Sequence, residues 1–168
     1  ARQFRWSMKS PALQTLPEVV WDCQTSRYNP GVLFKADLAQ VEWRCAAFMS
    51  GDDVMLEEVR DGVDIHSRTA SELLGFDIRD DVALMAWSNG TGRAVLTRAP
   101  SILIRQAALS YGDTPYPPSW VLSKSGVRGW LRQNMGKSQN FAWLYGGTVG
   151  VAIATCRIKA GIEVPLSR

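Results

Sequence analysis

Three cysteines, one histidine and no long apolar run set the first limits on this 168-residue sequence. Cys23, Cys45 and Cys156 are odd in number and lack CxxC spacing, which excludes a disulfide scaffold and a zinc knuckle and points to a reducing compartment. No apolar stretch approaches the ~20 residues that a membrane-spanning helix needs. The expectation is therefore a soluble protein of a reducing compartment, with no membrane partner. Ala1-Arg2-Gln3 opens the sequence with neither an initiator Met nor a signal-peptide pattern, so a processed chain or a piece of a larger one is expected. Charged residues are only 21%, while 46% apolar residues and 7 Trp supply a core and exclude a disordered chain.

Acidic residues are scarce in one half only. Residues 85–168 hold Asp113 and Glu163 against 10 Lys and Arg, whereas residues 1–84 hold 14 acidic against 9 basic residues. An acidic half beside a basic half is the pattern of a metal-using site next to a polyanion groove, and equally of ordinary surface chemistry.

Residues 1–18 are basic and interrupted by Pro11 and Pro17, which disfavour helix. Residues 32–37 follow the turn signal Asn29-Pro30-Gly31 and predict a short buried strand ending in Asp37. Helical periodicity then takes over, with Val41, Cys45 and Phe48 on one face of a helix over 40–49. A second helix is expected over 54–60, after Ser50-Gly51-Asp52-Asp53, and a third over 65–74, with Asp64 as N-cap and Gly75 as stop. The Gly-rich break at 88–92 precedes a helix over 99–110. The three prolines of 111–119 exclude regular structure there. Residues 126–145 form the longest helical candidate. No internal repeat or low-complexity tract is present.

Asp37 is the first chemical candidate, because a carboxylate ending an apolar strand is costly to bury without a cation. One Asp after a strand is also an ordinary turn or cap. Lys137, Phe141 and Tyr145, spaced at i, i+4 and i+8, stack along one helix face. An ammonium and two rings suit the phosphate and the sugar or base of a nucleotide. An amphipathic core helix with one Lys shows the same spacing. His66 alone reads equally as a satisfied core residue.

These residues fall within longer blocks. Asp37-Leu38-Ala39-Gln40-Val41-Glu42-Trp43-Arg44, then Ser50-Gly51-Asp52 and Asp64-Ile65-His66, resemble motif A and its following blocks in the family A DNA polymerases, of the form Asp-x-Ser-Gln-Ile-Glu-Leu-Arg, Ser-Gly-Asp and Asp-Ile-His. Arg5-Trp6-Ser7 and Pro11-Ala12-Leu13-Gln14-Thr15-Leu16-Pro17 resemble the family's primer–template segment, with Ala12 in place of its Asn. Lys137 to Gly146 resembles motif B, of the form Arg-x-x-x-Lys-x-x-x-Phe/Tyr-x-x-x-Tyr-Gly. The three blocks stand in the family's order across nearly the whole chain.

The resemblance implies an α+β fold: part of a palm over 1–75 with short antiparallel strands carrying motif A, an insertion over 76–125 of unassigned role, and truncated, mostly helical fingers over 126–168. It implies phosphoryl transfer from a dNTP to a primer 3′-OH, assisted by two Mg²⁺ ions. Asp37 and the backbone of Leu38 would meet the metals, and Asp37 and Lys137 would serve catalysis. Gln40, Glu42, His66, Arg132, Lys137, Phe141 and Tyr145 would contact the dNTP, with Glu42 as the gate against a ribose 2′-OH. Arg5, Gln14, Tyr145 and Gly146 would contact primer–template DNA.

The pattern departs from the family in two places. Motif B expects Arg four residues before the Lys; Gln133 stands there, and Arg132 lies five before. At 100° per residue Arg132 points away from the Lys137 face unless the helix carries a π-bulge. Gly129 and Gly136 also weaken that helix by about 1 kcal/mol each relative to Ala. Motif C, with the second metal-binding Asp of a His-Asp-Glu hairpin, is absent from the sequence. This predicts a chain inactive alone, whose second carboxylate comes from a further segment or a partner chain. The alternative is a non-catalytic nucleic-acid-binding module derived from such a polymerase. Glu42 and Asp64-Ile65-His66 argue against a relative of the single-subunit RNA polymerases or reverse transcriptases.

Overall fold

Asp52 and Asp80 show most directly how this sequence starts its helices. Each sits in extended backbone, and its carboxylate accepts from the amides of the following turn: Met55 N for Asp52, Val82 N and Ala83 N for Asp80. Such caps stabilise a helix by about 1 kcal/mol each. The computed structural model describes residue 20, residues 23–34 and residues 36–163. The expected DNA contacts Arg5 and Gln14 lie outside the described residues. The chain divides into two units, residues 1–39 and residues 40–168.

In the first unit, residues 32–34 and 36–37 form no strand. Val32 is 92% and Phe34 90% exposed. An apolar run becomes a strand only when its amides pair with a neighbour and its side chains find a face to cover. No partner strand exists among the described residues, which are helical throughout their regular structure. The α+β expectation is corrected accordingly: the described elements are all α, with no antiparallel palm sheet.

The second unit contains α1 (Val41–Ser50), α2 (Asp53–Arg60), α3 (Ile65–Leu74), α4 (Asp81–Asn89), α5 (Gly92–Thr97), α6 (Ile102–Ser110), α7 (Pro118–Val121) and α8 (Val127–Leu131). A π-helical segment (Arg132–Lys137) continues α8 into α9 (Ser138–Leu144), and α10 (Val149–Ala160) follows. The first three helices match the periodicity to within a residue, and α3 ends at left-handed Gly75, as expected. The helix expected over 99–110 is found as α6, three residues shorter at its start. The 88–92 break is a tight junction between α4 and α5. Gly92 packs against the Trp87 ring, where an added Cβ would come within 2.5 Å of Cδ2.

Ile78, Leu84, Leu96, Tyr116, Val121, Leu131 and Met135 are fully buried in one cluster. Each contributes roughly 1.5–3 kcal/mol by leaving water. Residues of 76–125 thus supply five of these seven core residues, while the π segment packs chiefly against α3. In contrast, Cys45 and Phe48, expected on one apolar face of α1, are exposed; Ala47 is the residue that helix buries.

Candidate functional site

The contact between α3 and the π segment organises the site, and Gly136 allows it. A Cβ at Gly136 would lie 1.7 Å from the carbonyl oxygen of His66, so only a glycine permits this approach. Gly129 plays the same part against the Lys124 carbonyl oxygen, also at 1.7 Å. The helix-propensity cost of both glycines therefore accompanies a packing requirement that spacing alone does not reveal.

The π segment answers the register question. Ser138 N donates to Gln133 O, an i to i−5 bond. A turn that closes over five residues returns Arg132 and Lys137 to a common face, and the positive charges of both act on His66. Arg132 is gripped there by Asp64: its Nε donates to Oδ2 at 2.7 Å and its Nη2 to Oδ1 at 2.9 Å. Asp64 stands at the N-cap position of α3, but its carboxylate makes no cap bond to the helix amides. It instead receives Arg132 and the Ser67 hydroxyl, the latter at 2.7 Å. Burial raises the Asp64 pKa, and the hydrogen bonds from Arg132 and Ser67 with the Arg132 charge outweigh it, leaving the carboxyl below its usual 3.8.

Asn140 ties α9 to α3. Its Oδ1 accepts from Thr69 Oγ1 at 2.8 Å, and its amide nitrogen lies 2.9 Å from His66 Nδ1. This hydrogen bond occupies Nδ1 and leaves Nε2 as the ring nitrogen open to a further partner. His66 is only 7% exposed. Burial first, then Arg132 and Lys137, push its pKa below 6.5, against the opposing fields of Asp64 and Glu42. The ring is thus held neutral. Sequence reasoning treated Asp64 as a cap and passed over Asn140. The i, i+3 spacing of His66 and Thr69, which puts both on one side of α3, was the available signal for a shared partner.

From His66 a file of side chains runs along α9. The Phe141 ring stacks on His66 at 6.5 Å and on Tyr145 at 6.1 Å, the second pair inclined by only 10°. Lys137 Nζ stands 5.7 Å from the Phe141 ring centroid, in cation–π reach. Tyr145 is 67% exposed, and exposed Gly146 (φ +78°) turns the chain after α9. The structure therefore gathers His66, Arg132, Lys137, Phe141 and Tyr145, with Glu42 near enough to act on His66. Gln40 holds a left-handed φ of 53° at the start of α1, an uncommon state for a residue with a side chain. Asp37 and Leu38 belong to the first unit, where both are exposed.

A guanidinium, an ammonium, a neutral imidazole and two parallel rings make a surface suited to a ligand with phosphate at one end and a flat ring at the other. Metal ligation is a separate matter. Asp37 is a single exposed carboxylate, and among the described residues no three His, Cys, Asp or Glu side chains converge. These residues do not by themselves fit a two-ion Mg²⁺ centre.

Comparison with known proteins bears on the part of the chain before α5. Residues 3–84 match the family model for DNA polymerase family A. DNA polymerase I of Caldicellulosiruptor bescii is 45% identical over 49 residues, covering 29% of this chain and 6% of that protein. DNA polymerase I of Chloroflexus aurantiacus is 37% identical over 78 residues, covering 44% of this chain and 8% of its own length. DNA polymerase I of Streptococcus pneumoniae is 30% identical over 84 residues, or 46% of this chain and 10% of that protein. The chain thus spans a tenth or less of these relatives. No solved structure matches. No helix among the described residues is long and apolar enough to cross a membrane.

Proposed function

We propose that this chain is the nucleotide-binding part of a template-directed DNA polymerase, acting in a cytoplasm. In the assembled enzyme it takes part in transfer of dNMP from a dNTP to a primer 3′-OH. The observation that carries this reading is the file Lys137–Phe141–Tyr145, joined to His66 from α3, 71 to 79 residues earlier in the sequence. In this reading Arg132, Lys137 and His66 meet the phosphates, and Phe141 packs on the sugar. Tyr145 and Gly146 form the floor beneath the templating base, Gln40 lies beside the phosphates and Glu42 guards the 2′ position. Arg5 and Gln14 contact the primer terminus. Asp37 and the Leu38 backbone provide one side of a Mg²⁺ site. Its remaining carboxylate comes from a segment or second chain bearing motif C. An ion completed by that further carboxylate would supply nucleophile activation and charge neutralisation.

Titration of the 168-residue chain with dNTP tests the proposal. Binding that Lys137→Ala weakens by about tenfold, the usual scale for one charge-assisted contact, supports it. DNA binding without any response to dNTP refutes it in favour of a nucleic-acid-binding module. Primer extension by the chain alone refutes its dependence on motif C.

A further inference from the structure

Residues 113–119 lie outside the blocks that carry the polymerase resemblance: the family match ends at residue 84, and the motif B spacing begins near Gln133. Their sequence is Asp113-Thr114-Pro115-Tyr116-Pro117-Pro118-Ser119. Proline fixes its own φ near −65°, and the residue before a proline is pushed out of the α region into extended or polyproline II backbone. Thr114, Tyr116 and Pro117 each precede a proline. The structure follows this rule. Pro117 has φ −73° and ψ 147°, the polyproline II values, and residues 115–117 form no regular element before α7 starts at Pro118.

A polyproline II helix has three residues per turn and therefore three edges. Two of them face water here: Thr114, Pro115 and Pro118 are exposed, and Pro117 is half-buried. Tyr116 alone occupies the third edge and is 1% exposed. Its ring packs on Tyr111 at 5.7 Å and on Trp120 at 5.0 Å, with the Arg93 guanidinium 4.5 Å from its centroid. The backbone is pinned on the same side. Tyr116 N donates to Asn89 Oδ1 at 2.6 Å, and Arg93 Nη2 donates to the Gly112 carbonyl and, at 3.0 Å, to the Thr114 carbonyl. The ends of α4 and α5 thus grip the segment by its inward edge and leave the other two bare.

This is the display that a reader of polyproline II segments requires. Grooves lined by aromatic rings take x-Pro dipeptides spaced one turn apart, here Thr114-Pro115 and Pro117-Pro118, while the residue between them points away. Asp113 flanks the first dipeptide. It is exposed, has no ion-pair partner among the described residues, and is one of the two acidic residues after residue 84. A basic side chain at that end of a groove complements it. We propose that residues 113–118 are a docking segment for a partner domain whose groove is lined by aromatic rings and carries a cation at its Asp113 end. Because the fold has already ordered the segment, little conformational freedom is lost when the partner binds.

The test is titration calorimetry of the whole 168-residue chain with three probes: a WW domain, an SH3 domain, and that SH3 domain with the acidic residues beside its groove changed to Lys. The charge-changed SH3 domain is expected to bind most tightly, and to bind the chain about three- to tenfold better than a free peptide of residues 111–120. Pro115→Ala and Pro118→Ala each weaken that binding about tenfold or more, and Asp113→Lys reverses the preference between the two SH3 domains. An excess of a free proline-rich peptide displaces the chain, a readout that needs no variant to fold. Absence of binding to all three probes overturns the proposal. So does binding that survives both proline substitutions, or that the free peptide does not displace. A preference between the SH3 domains that ignores Asp113→Lys overturns the cation assigned to the partner.

Discussion

Replacing Gly136 with alanine places a methyl carbon 1.7 Å from the His66 carbonyl oxygen, half of the 3.4 Å at which such contact becomes ordinary. The obstructing atom is backbone, so no flexible side chain can yield; α3 and the π segment must separate. Overpacking of this kind costs about 1–3 kcal/mol, and a backbone obstacle sets the upper end. Against it stands about 1 kcal/mol from removing a mid-helix glycine. The expected result is a net loss of about 2 kcal/mol, lowering Tm by roughly 4–8 °C for a chain of this size. Gly150→Ala in α10 provides the control. Its added Cβ meets nothing closer than Thr148 Oγ1 at 3.8 Å. That variant gains about 0.5 kcal/mol from propensity and reduced unfolded-state freedom. The two are compared by urea denaturation, reading midpoint and slope. A Gly136→Ala chain as stable as the parent refutes the close approach of α3 to the π segment, and with it the geometry given for His66.

Further predictions follow from the same contacts. Asn140→Ala removes the hydrogen-bond partner of His66 Nδ1 and of the Thr69 hydroxyl. It is expected to destabilise the chain by about 1–3 kcal/mol and to free the ring, seen by NMR as lost dispersion of its signals. Because the folded pKa of His66 lies below 6.5, the unfolded chain binds the extra proton in the interval between the two values. Stability from this residue is therefore complete above pH 6.5 and falls as pH drops through the folded pKa; urea midpoints for parent and His66→Gln should converge in shape when this slope is removed. Cys23 and Cys45 are exposed, while Cys156 is buried with its thiol pKa pushed up by that burial. A thiol reagent should titrate two cysteines in the native chain and the third only on unfolding.

Local signals were legible where the sequence carries its own punctuation. Asp52, the glycines at 51 and 75 and the apolar spacing of 65–74 state α1 to α3 without help from distant residues. The motif B spacing likewise placed Lys137, Phe141 and Tyr145 on one face. What failed was whatever depended on a partner. The apolar run 32–34 looks like a strand, but strand identity is a property of a ladder, and no second strand stands beside it among the described residues. The fully buried core residues of 76–125 lacked a helical stripe clear enough to outweigh the Gly90, Gly92 and proline signals, so α4, α5 and α7 were missed. Gly136 shows the deeper reason: it reads as a helix weakness, yet its effect lies across a contact with residue 66, which local spacing does not encode.

Arg132 allows that limit to be tested directly. The segment carries one residue more than the Arg-x-x-x-Lys pattern, and the π turn over Arg132–Lys137 absorbs it. An insertion into an α-helix rotates everything on one side by about 100°, which a single wide turn cancels. Deleting Gln133 then leaves Arg132-Asn134-Met135-Gly136-Lys137, with Arg four residues before Lys, and an ordinary α turn should replace the π turn while both flanks keep their packing. The Asp64–Arg132 pair reports the outcome. Its side chains are about one-third exposed and doubly hydrogen-bonded, so a coupling near 1 kcal/mol is expected, at the upper end for partly solvated pairs. A double-mutant cycle of Asp64→Asn and Arg132→Gln, measured with and without Gln133, should return the same coupling in both backgrounds. If the deletion unfolds the chain or abolishes the coupling, the extra residue is not absorbed by the π turn, and Arg132 does not take the place of the missing motif arginine.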